Sequence, residues 1–276
     1  MSYRVPRYFD WLLDGRIVGD PARDVHLGYW MTPPNPDTPL ASGAFEQAQM
    51  MLTRRAVAMA RPGDGDRVLD VGCGFGGALA LLDTVLRGSR LVGVNIDQRQ
   101  LRVCSEIRSI SDNWLGLAGA DACALPFGRG AFDVVFCIEA MFHFESRMMF
   151  LSEAARVLRP GGRLVFTDFT FDEDGPTPPW RIETMTAALR DHYGPWPEVW
   201  LTPGALTKMT DTAGFETVEA QDWTGNTLPS YRVTAPHVGP FPSSRPDAGE
   251  VLRWLHHSGR LRYEARVLAL SRIVAL

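Results

Sequence analysis

Lysine is almost missing from this chain. Of its 28 basic residues only Lys208 is a lysine, and the rest are arginines. Together with heavy Ala, Gly and Pro usage, this reads as the habit of a GC-rich bacterial genome and says little about activity. A charge excess is missing too: 28 basic against 32 acidic residues leave −4. That balance favours neither nucleic acid nor an anionic membrane surface as a partner. No run of about 18 apolar residues exists, which excludes a simple membrane-spanning helix. The start, MSYRVPRYFDWLLDGR, has scattered charges and no apolar stretch, so no signal peptide is expected. The cysteines Cys73, Cys104, Cys123 and Cys137 lack C-x-x-C spacing, which argues against a zinc site or a disulfide framework. Four reduced thiols in a cytoplasmic protein are expected. His26, His192, His237, His256 and His257 have no metal-like spacing, and no metal is expected. No repeat stands out.

With 276 residues, 45% of them hydrophobic, the chain suits one large domain with elaborations. Residues 1–60 form an aromatic cap and a helix. MTPPNPDTP (31–39) is a loop, because its prolines forbid helix and ladder bonds. Ser42 is then the expected N-cap of a helix carrying Phe45, Ala48, Leu52, Ala56 and Met59 at helical spacing. Residues 61–170 alternate. Strands are expected at 67–71, 91–95, 115–120, 132–138 and 163–168, with helices at 78–86, 98–109 and 145–158. Buried apolar strands alternating with helices specify a parallel sheet covered on both faces, with ligands beyond the carboxyl ends of its strands. The pattern breaks at Phe171. Residues 171–203 read as a lid insertion with a short helix between proline-rich loops. Residues 204–276 resume with a helix near 203–213, a strand near 215–223, a long loop at 228–249 and a helix containing 251–257. The segment 262–270 reads as a strand, with a helix left open.

The stretch VLDVGCGFGG (68–77) is a strand that breaks into a glycine turn. Such a turn rests an anionic group on backbone amides at a helix N-terminus, and two ligands compete for it: a dinucleotide and S-adenosylmethionine. Asp70 would repel a pyrophosphate but attract the ammonium of a methionine moiety. Asn95 stands where a dinucleotide site wants an acid for the ribose hydroxyls. Its amide can donate to one hydroxyl and accept from another, and Gln100, one helical turn on, can add a contact. Asp97 is the expected N-cap of the helix beginning at Gln98. Asp121 follows a short strand, where a carboxylate can accept from an exocyclic adenine amine.

In this order and spacing, VLDVGCGFGG, GVNIDQRQL, GADACALPF, FDVVFCIEAMFHF and ARVLRPGGRLVFTDF resemble the class I S-adenosylmethionine-dependent methyltransferases, small-molecule (natural-product) subgroup. The resemblance is strong over residues 43–170 and loose elsewhere. It implies an α/β Rossmann-like fold whose seven-stranded sheet is parallel except for the last strand, with helices on both faces, an N-terminal cap and a lid. It implies S-adenosyl-L-methionine as cofactor and S-adenosyl-L-homocysteine as product. By position, Asp70, Gly72, Cys73 and Gly74 would line the methionine end, and Asn95, Ile96 and Gln100 the ribose. Asp121 and Ala122 would meet the adenine, and Glu139 would stand near the amino group or the reacting centre. In HLGYW (26–30), Tyr29 would close over the sulfonium, unless it and Trp30 are ordinary packing.

Methyl transfer to a hydroxyl needs an aligned acceptor, a place for its proton and exclusion of water. The candidate catalytic residues are His143, Glu139 and Asp168, with the tips of His143 and Asp168 expected to meet, His143 as base and Asp168 either orienting it or holding the acceptor. Trp30, Phe142, Arg147, Trp180 and Trp200 are candidate acceptor-binding residues, Trp196 belongs with them, and Arg147 reads more readily as a solvated helix charge than as a substrate clamp. The aromatic cover favours a small hydrophobic acceptor in bacterial specialised metabolism, methylated on oxygen. Carbon methylation of a prenyl chain is the rival, with Glu139 near the reacting centre and, for a diphosphate acceptor, converging Arg181, Arg190 and Arg232. A nicotinamide-dependent oxidoreductase is disfavoured by Asp70 and Asn95. A homo-oligomer is left open.

Overall fold

The computed structural model describes residues 8–14, 22–35, 37–235 and 242–271. His237 lies outside them. Seven strands form one sheet: β1 (Arg67–Val71), β2 (Arg90–Asn95), β3 (Trp114–Gly119), β4 (Phe132–Ile138), β5 (Leu158–Phe171), β6 (Phe215–Asp222) and β7 (Leu261–Leu270). Their spatial order is β3-β2-β1-β4-β5-β7-β6. β1 through β5 pair in parallel, and β7 pairs antiparallel with both β5 and β6. The expected seven-stranded Rossmann-like sheet with one reversed strand is therefore the fold. The direction in which strands are added reverses between β1 and β4, and such a switch point opens a crevice beyond the strand ends. The glycine turn after β1 and Glu139 after β4 flank that crevice.

The helices are α1 (Tyr8–Asp14), α2 (Ala44–Ala60), α3 (Gly77–Val85), α4 (Gln98–Cys104), α5 (Arg147–Val157), α6 (Ile182–Tyr193), α7 (Pro203–Thr212), α8 (Thr224–Thr227), α9 (Tyr231–Thr234) and α10 (Ala248–His257). Two apolar layers sandwich the sheet. In one, Leu52 and Ala56 of α2, Leu79 and Leu82 of α3 and Leu255 of α10 pack with Val165 and Phe169 of β5. In the other, Phe150 and Leu151 of α5 and Leu206 of α7 pack with Leu164 and Phe166. β5 thus alternates its apolar side chains between two cores, as a strand buried on both faces must.

Some expectations need correction. Ser42 does not cap α2; the cap position is Gly43 at φ 74°, with no side-chain cap, because the chain enters the helix through a left-handed turn that glycine tolerates. The helix expected over 98–109 stops at Cys104. Beyond it, the Asp83 carboxylate accepts from Ser109 Oγ at 2.9 Å, Ile110 N at 2.9 Å and Asn113 Nδ2 at 3.2 Å, which hold the chain in a loop. The loop expected over 228–249 contains α9 and the start of α10. The segment 262–270 is strand β7, the form its alternating contacts with β5 and β6 require.

Candidate functional site

Gly72 and Gly74 adopt φ +77° and +53°, a conformation that costs a side-chain-bearing residue energy. Gly72 N and Cys73 N donate to Val94 O at 2.8 and 3.0 Å, which ties the turn to the end of β2. A Cβ on Gly72 would stand 2.5 Å from Ala140 Cβ, and one on Gly77 would stand 2.1 Å from Asp24 Oδ1. The turn is therefore pinched between the end of β4 and the segment 22–27, which crosses over it.

These elements enclose a cavity with an empty volume of ≈ 990 Å³, open mouth included. Asp70, Gly72, Cys73, Gly74, Asn95, Ile96, Gln100, Asp121, Ala122, Glu139 and His143 all line it. Asn95 and Gln100 are buried and linked, Asn95 Nδ2 donating to Gln100 Oε1 at 3.2 Å. Asn95 Oδ1 accepts from Asp97 N at 3.0 Å, and Asp97 accepts from Arg99 N at 2.9 Å as the N-cap of α4. Asp121 accepts from Cys123 N at 2.8 Å, which fixes the turn that carries Ala122.

Carboxylates gather on one wall. Asp70 is buried with no hydrogen-bond donor among the described residues, and desolvation, aided by the nearby Asp24 charge, pushes its pKa up to about 7. Glu139 is a non-glycine residue at φ 48°. Its carboxylate accepts from Leu27 N at 3.2 and 3.1 Å and from Tyr263 Oη at 2.7 Å, and its own N donates to Thr167 Oγ1 at 2.9 Å. Burial raises its pKa despite the opposing His26 charge and these donors. A strained backbone over-determined by four contacts is a frequent mark of a working site. Into this wall the segment 22–27 inserts Asp24 and His26, which sequence reasoning missed; no spacing links them to the glycine turn some fifty residues later.

The acceptor side differs from expectation. His143 lines the cavity, its ring tilted against Phe142 with centroids 4.0 Å apart and with Phe9 at 6.3 Å. Desolvation drives its pKa down to about 3, against a backbone hydrogen bond to Pro195, so the ring is neutral. It does not meet Asp168. Both Asp168 oxygens are held by Arg147, Nε to Oδ2 at 2.7 Å and Nη2 to Oδ1 at 3.1 Å, and the two side chains are 0% and 1% exposed. Arg147 also donates to Glu198 Oε2 at 3.2 Å. It is neither a clamp nor a solvated helix charge: a buried carboxylate needs a fork-shaped cation, and α5 delivers one from its first residue.

Tyr29 does not line the cavity. Its N donates to Ala48 O at 2.7 Å, and a Cβ on Gly28 would stand 2.5 Å from Ala48 Cβ. The segment is pressed so tightly on α2 that the Tyr29 ring turns away, 5.2 Å edge-on to Trp223 with the Arg55 guanidinium 4.4 Å over its face. Trp30 donates to Ser230 Oγ at 3.2 Å, Trp180 to Ser243 O at 2.7 Å and Trp200 to Thr186 Oγ1 at 2.9 Å, all away from the cavity. Phe142 packs 4.5 Å from Trp196, itself buried, and 5.3 Å from Phe169. It forms the layer behind His143.

A glycine cradle, a wall of carboxylates fit for a cation, and paired amides from the end of β2 and from α4 suit the ammonium, sulfonium and ribose of S-adenosylmethionine. Comparison with known proteins agrees. A methyltransferase domain family matches residues 69–166. An O-methyltransferase of Pyrenophora dematioidea is 31% identical over 206 residues, 72% of this chain and 70% of the relative. Methyltransferase GfsG of Streptomyces halstedii is 32% identical over 230 residues, 78% and 77% of the two chains. The crystal structure of geranyl diphosphate C-methyltransferase from Streptomyces coelicolor A3(2), with Mg2+, geranyl diphosphate and S-adenosyl-L-homocysteine, shares the fold at TM-score 0.75 and 17% identity over 98% of both chains. The chain belongs to the class I S-adenosylmethionine-dependent methyltransferases, in the subgroup that acts on small molecules.

Proposed function

We propose that this enzyme methylates a hydroxyl oxygen of a small, mainly apolar metabolite in bacterial specialised metabolism. The observation that carries the reading is the neutral imidazole of His143 on the cavity wall. S-adenosylmethionine supplies an electrophilic methyl on a sulfonium that is already a good leaving group. The protein's share is to align the hydroxyl, exclude water and take the proton. His143 fills that last role without a carboxylate partner, since Asp168 is spent on Arg147. Burial keeps the ring neutral and so able to accept a proton. Names of relatives also point to oxygen.

Among the described residues, the cavity offers an acceptor diphosphate no cluster of arginines. Arg190 donates to Trp196 O and Pro197 O, Arg232 to Asn35 O, and Arg181 sits exposed beside Glu183. Arg23 lines the cavity but donates to Phe75 O and Val103 O. Residues 171–203 act here as the brace that holds Trp196 behind Phe142. Carbon methylation keeps one supporting observation, the strained and desolvated Glu139 beside Tyr263.

The test is incubation with methyl-labelled S-adenosylmethionine and a panel of phenols and alkenes, with products read by mass spectrometry and NMR. Methyl ethers are expected, with turnover dependent on His143. Label on carbon, lost in Glu139→Gln and kept in His143→Ala, would establish the carbon reading instead.

A further inference from the structure

His26 lines the donor cavity, and its hydrogen bonds set its charge in the free enzyme. Nδ1 lies 2.7 Å from Leu27 O. A carbonyl only accepts, so Nδ1 carries a hydrogen. Nε2 lies 2.9 Å from Thr53 Oγ1. Thr53 has one hydroxyl hydrogen, and that hydrogen is directed at Asp24 Oδ1, 2.6 Å away. Thr53 therefore offers Nε2 a lone pair, and Nε2 carries a hydrogen as well. Asp24 Oδ1 itself is 3.3 Å from Nε2. With both nitrogens donating, the ring is an imidazolium.

The groups around it explain why a buried cation is stable here. Its own segment brings Asp24, and also Arg23, whose guanidinium is turned onto the carbonyls of Phe75 and Val103. α2 presents Thr53 and Gln49, whose amide donates to His26 O at 2.7 Å. β1 brings Asp70, the end of β4 brings Glu139, and β7 brings Tyr263 on Glu139. Burial alone would discharge His26, yet the Asp24 bond and the Asp24 and Glu139 charges raise its pKa. Asp24 in turn is held ionised by His26 and Thr53 against its own burial.

The donor and the product of methyl transfer differ by one charge. Both carry an ammonium and a carboxylate; only the donor carries a sulfonium. A proton that Asp70 gives up to meet the ammonium is therefore released with either ligand. The extra cation is the donor's alone, and it enters a cavity where His26 already answers the carboxylates. Like charges in one desolvated site favour loss of the more readily ionised proton.

We propose that His26 tells donor from product: it stands as an imidazolium in the free enzyme, gives one proton to solvent when the sulfonium of S-adenosylmethionine enters, and keeps that proton when the neutral thioether of S-adenosylhomocysteine binds. The inference rests on the assignment of this cavity to S-adenosylmethionine. Donor binding then tightens as pH rises towards the free-enzyme pKa of His26, which lies above the usual histidine value, and levels beyond it. Product binding lacks this component, so acid favours product inhibition.

Calorimetric titration of the wild-type enzyme with each ligand, in phosphate and in Tris, counts the protons released. Donor is expected to release more than product at pH 7, and the ratio of donor to product Kd should fall by up to about tenfold per pH unit below the plateau. His26→Gln should abolish the difference between ligands, and Asp70→Asn should remove only the shared release. Equal release with both ligands in the wild type would overturn the proposal without any variant, as would a difference that survives His26→Gln. Failure of either ligand to bind the wild type would instead refute the donor-site assignment.

Discussion

Arg147→Met should lower the unfolding temperature by several degrees, and the size follows from the site. Arg147 and Asp168 are 1% and 0% exposed and joined by bonds of 2.7 and 3.1 Å. Removing one member leaves a buried charge without its partner, at a cost of about 3–5 kcal/mol. A chain of 276 residues has an unfolding entropy of roughly 0.58 kcal/mol/K at about 2.1 cal/mol/K per residue, so the fall should be about 5–9 °C. Asp168→Asn should cost a similar amount from the other side. The double variant Arg147→Met with Asp168→Leu replaces the pair by apolar groups and should recover most of the loss. Circular dichroism melts of the four proteins read this directly. Falls of less than about 2 °C in both single variants would match an exposed pair and refute the reasoning, and so would losses that add in the double variant.

Other outcomes follow from the cavity. His143→Ala should leave donor affinity intact and lower turnover by roughly two to four orders of magnitude, as expected for a lost general base; isothermal titration and steady-state kinetics separate the two effects. Asp70 has a folded pKa of about 7, above the unfolded value, so the native state holds the extra proton and Asp70 erodes stability as pH rises from about 4 to 7. Asp70→Asn should accordingly melt higher than wild type at pH 8 and near it at pH 4. Tyr263→Phe removes a donor that favours the Glu139 carboxylate, so the Glu139 pKa should rise further. Donor affinity on the acid limb should then fall at a higher pH than in wild type, as Kd measured against pH would show.

The Rossmann-like core was legible because its signals are local. Each of β1, β2 and β4 is a short apolar run, Asp97 caps α4 from the adjacent position, and the glycines of the turn announce their own backbone geometry. The helix after Gln98 was overextended because a distant carboxylate, Asp83, holds residues 109–113 in a loop. The cavity wall was only half legible. Asp70 and Glu139 follow strands whose ends can be read from periodicity. Asp24, His26 and Thr53 reach the wall by a crossing that only tertiary packing creates, and Tyr263 arrives from the last strand. Tyr29 was misplaced for a related reason: contact of Gly28 with α2 decides which way the ring turns. The pairing of Asp168 with Arg147 instead of His143 was a choice among nearby partners. Burial decided it, because a fully desolvated carboxylate needs a full positive charge, which a neutral imidazole does not offer.

The most direct test is the affinity of S-adenosylhomocysteine, by isothermal titration, for the wild type, Asp70→Asn and Tyr29→Phe. The carboxylate wall predicts saturable binding to wild type, at least about tenfold weaker binding to Asp70→Asn, the loss of one charge-assisted contact to the ammonium, and unchanged binding to Tyr29→Phe. Undiminished binding to Asp70→Asn together with a loss in Tyr29→Phe would contradict the site as drawn.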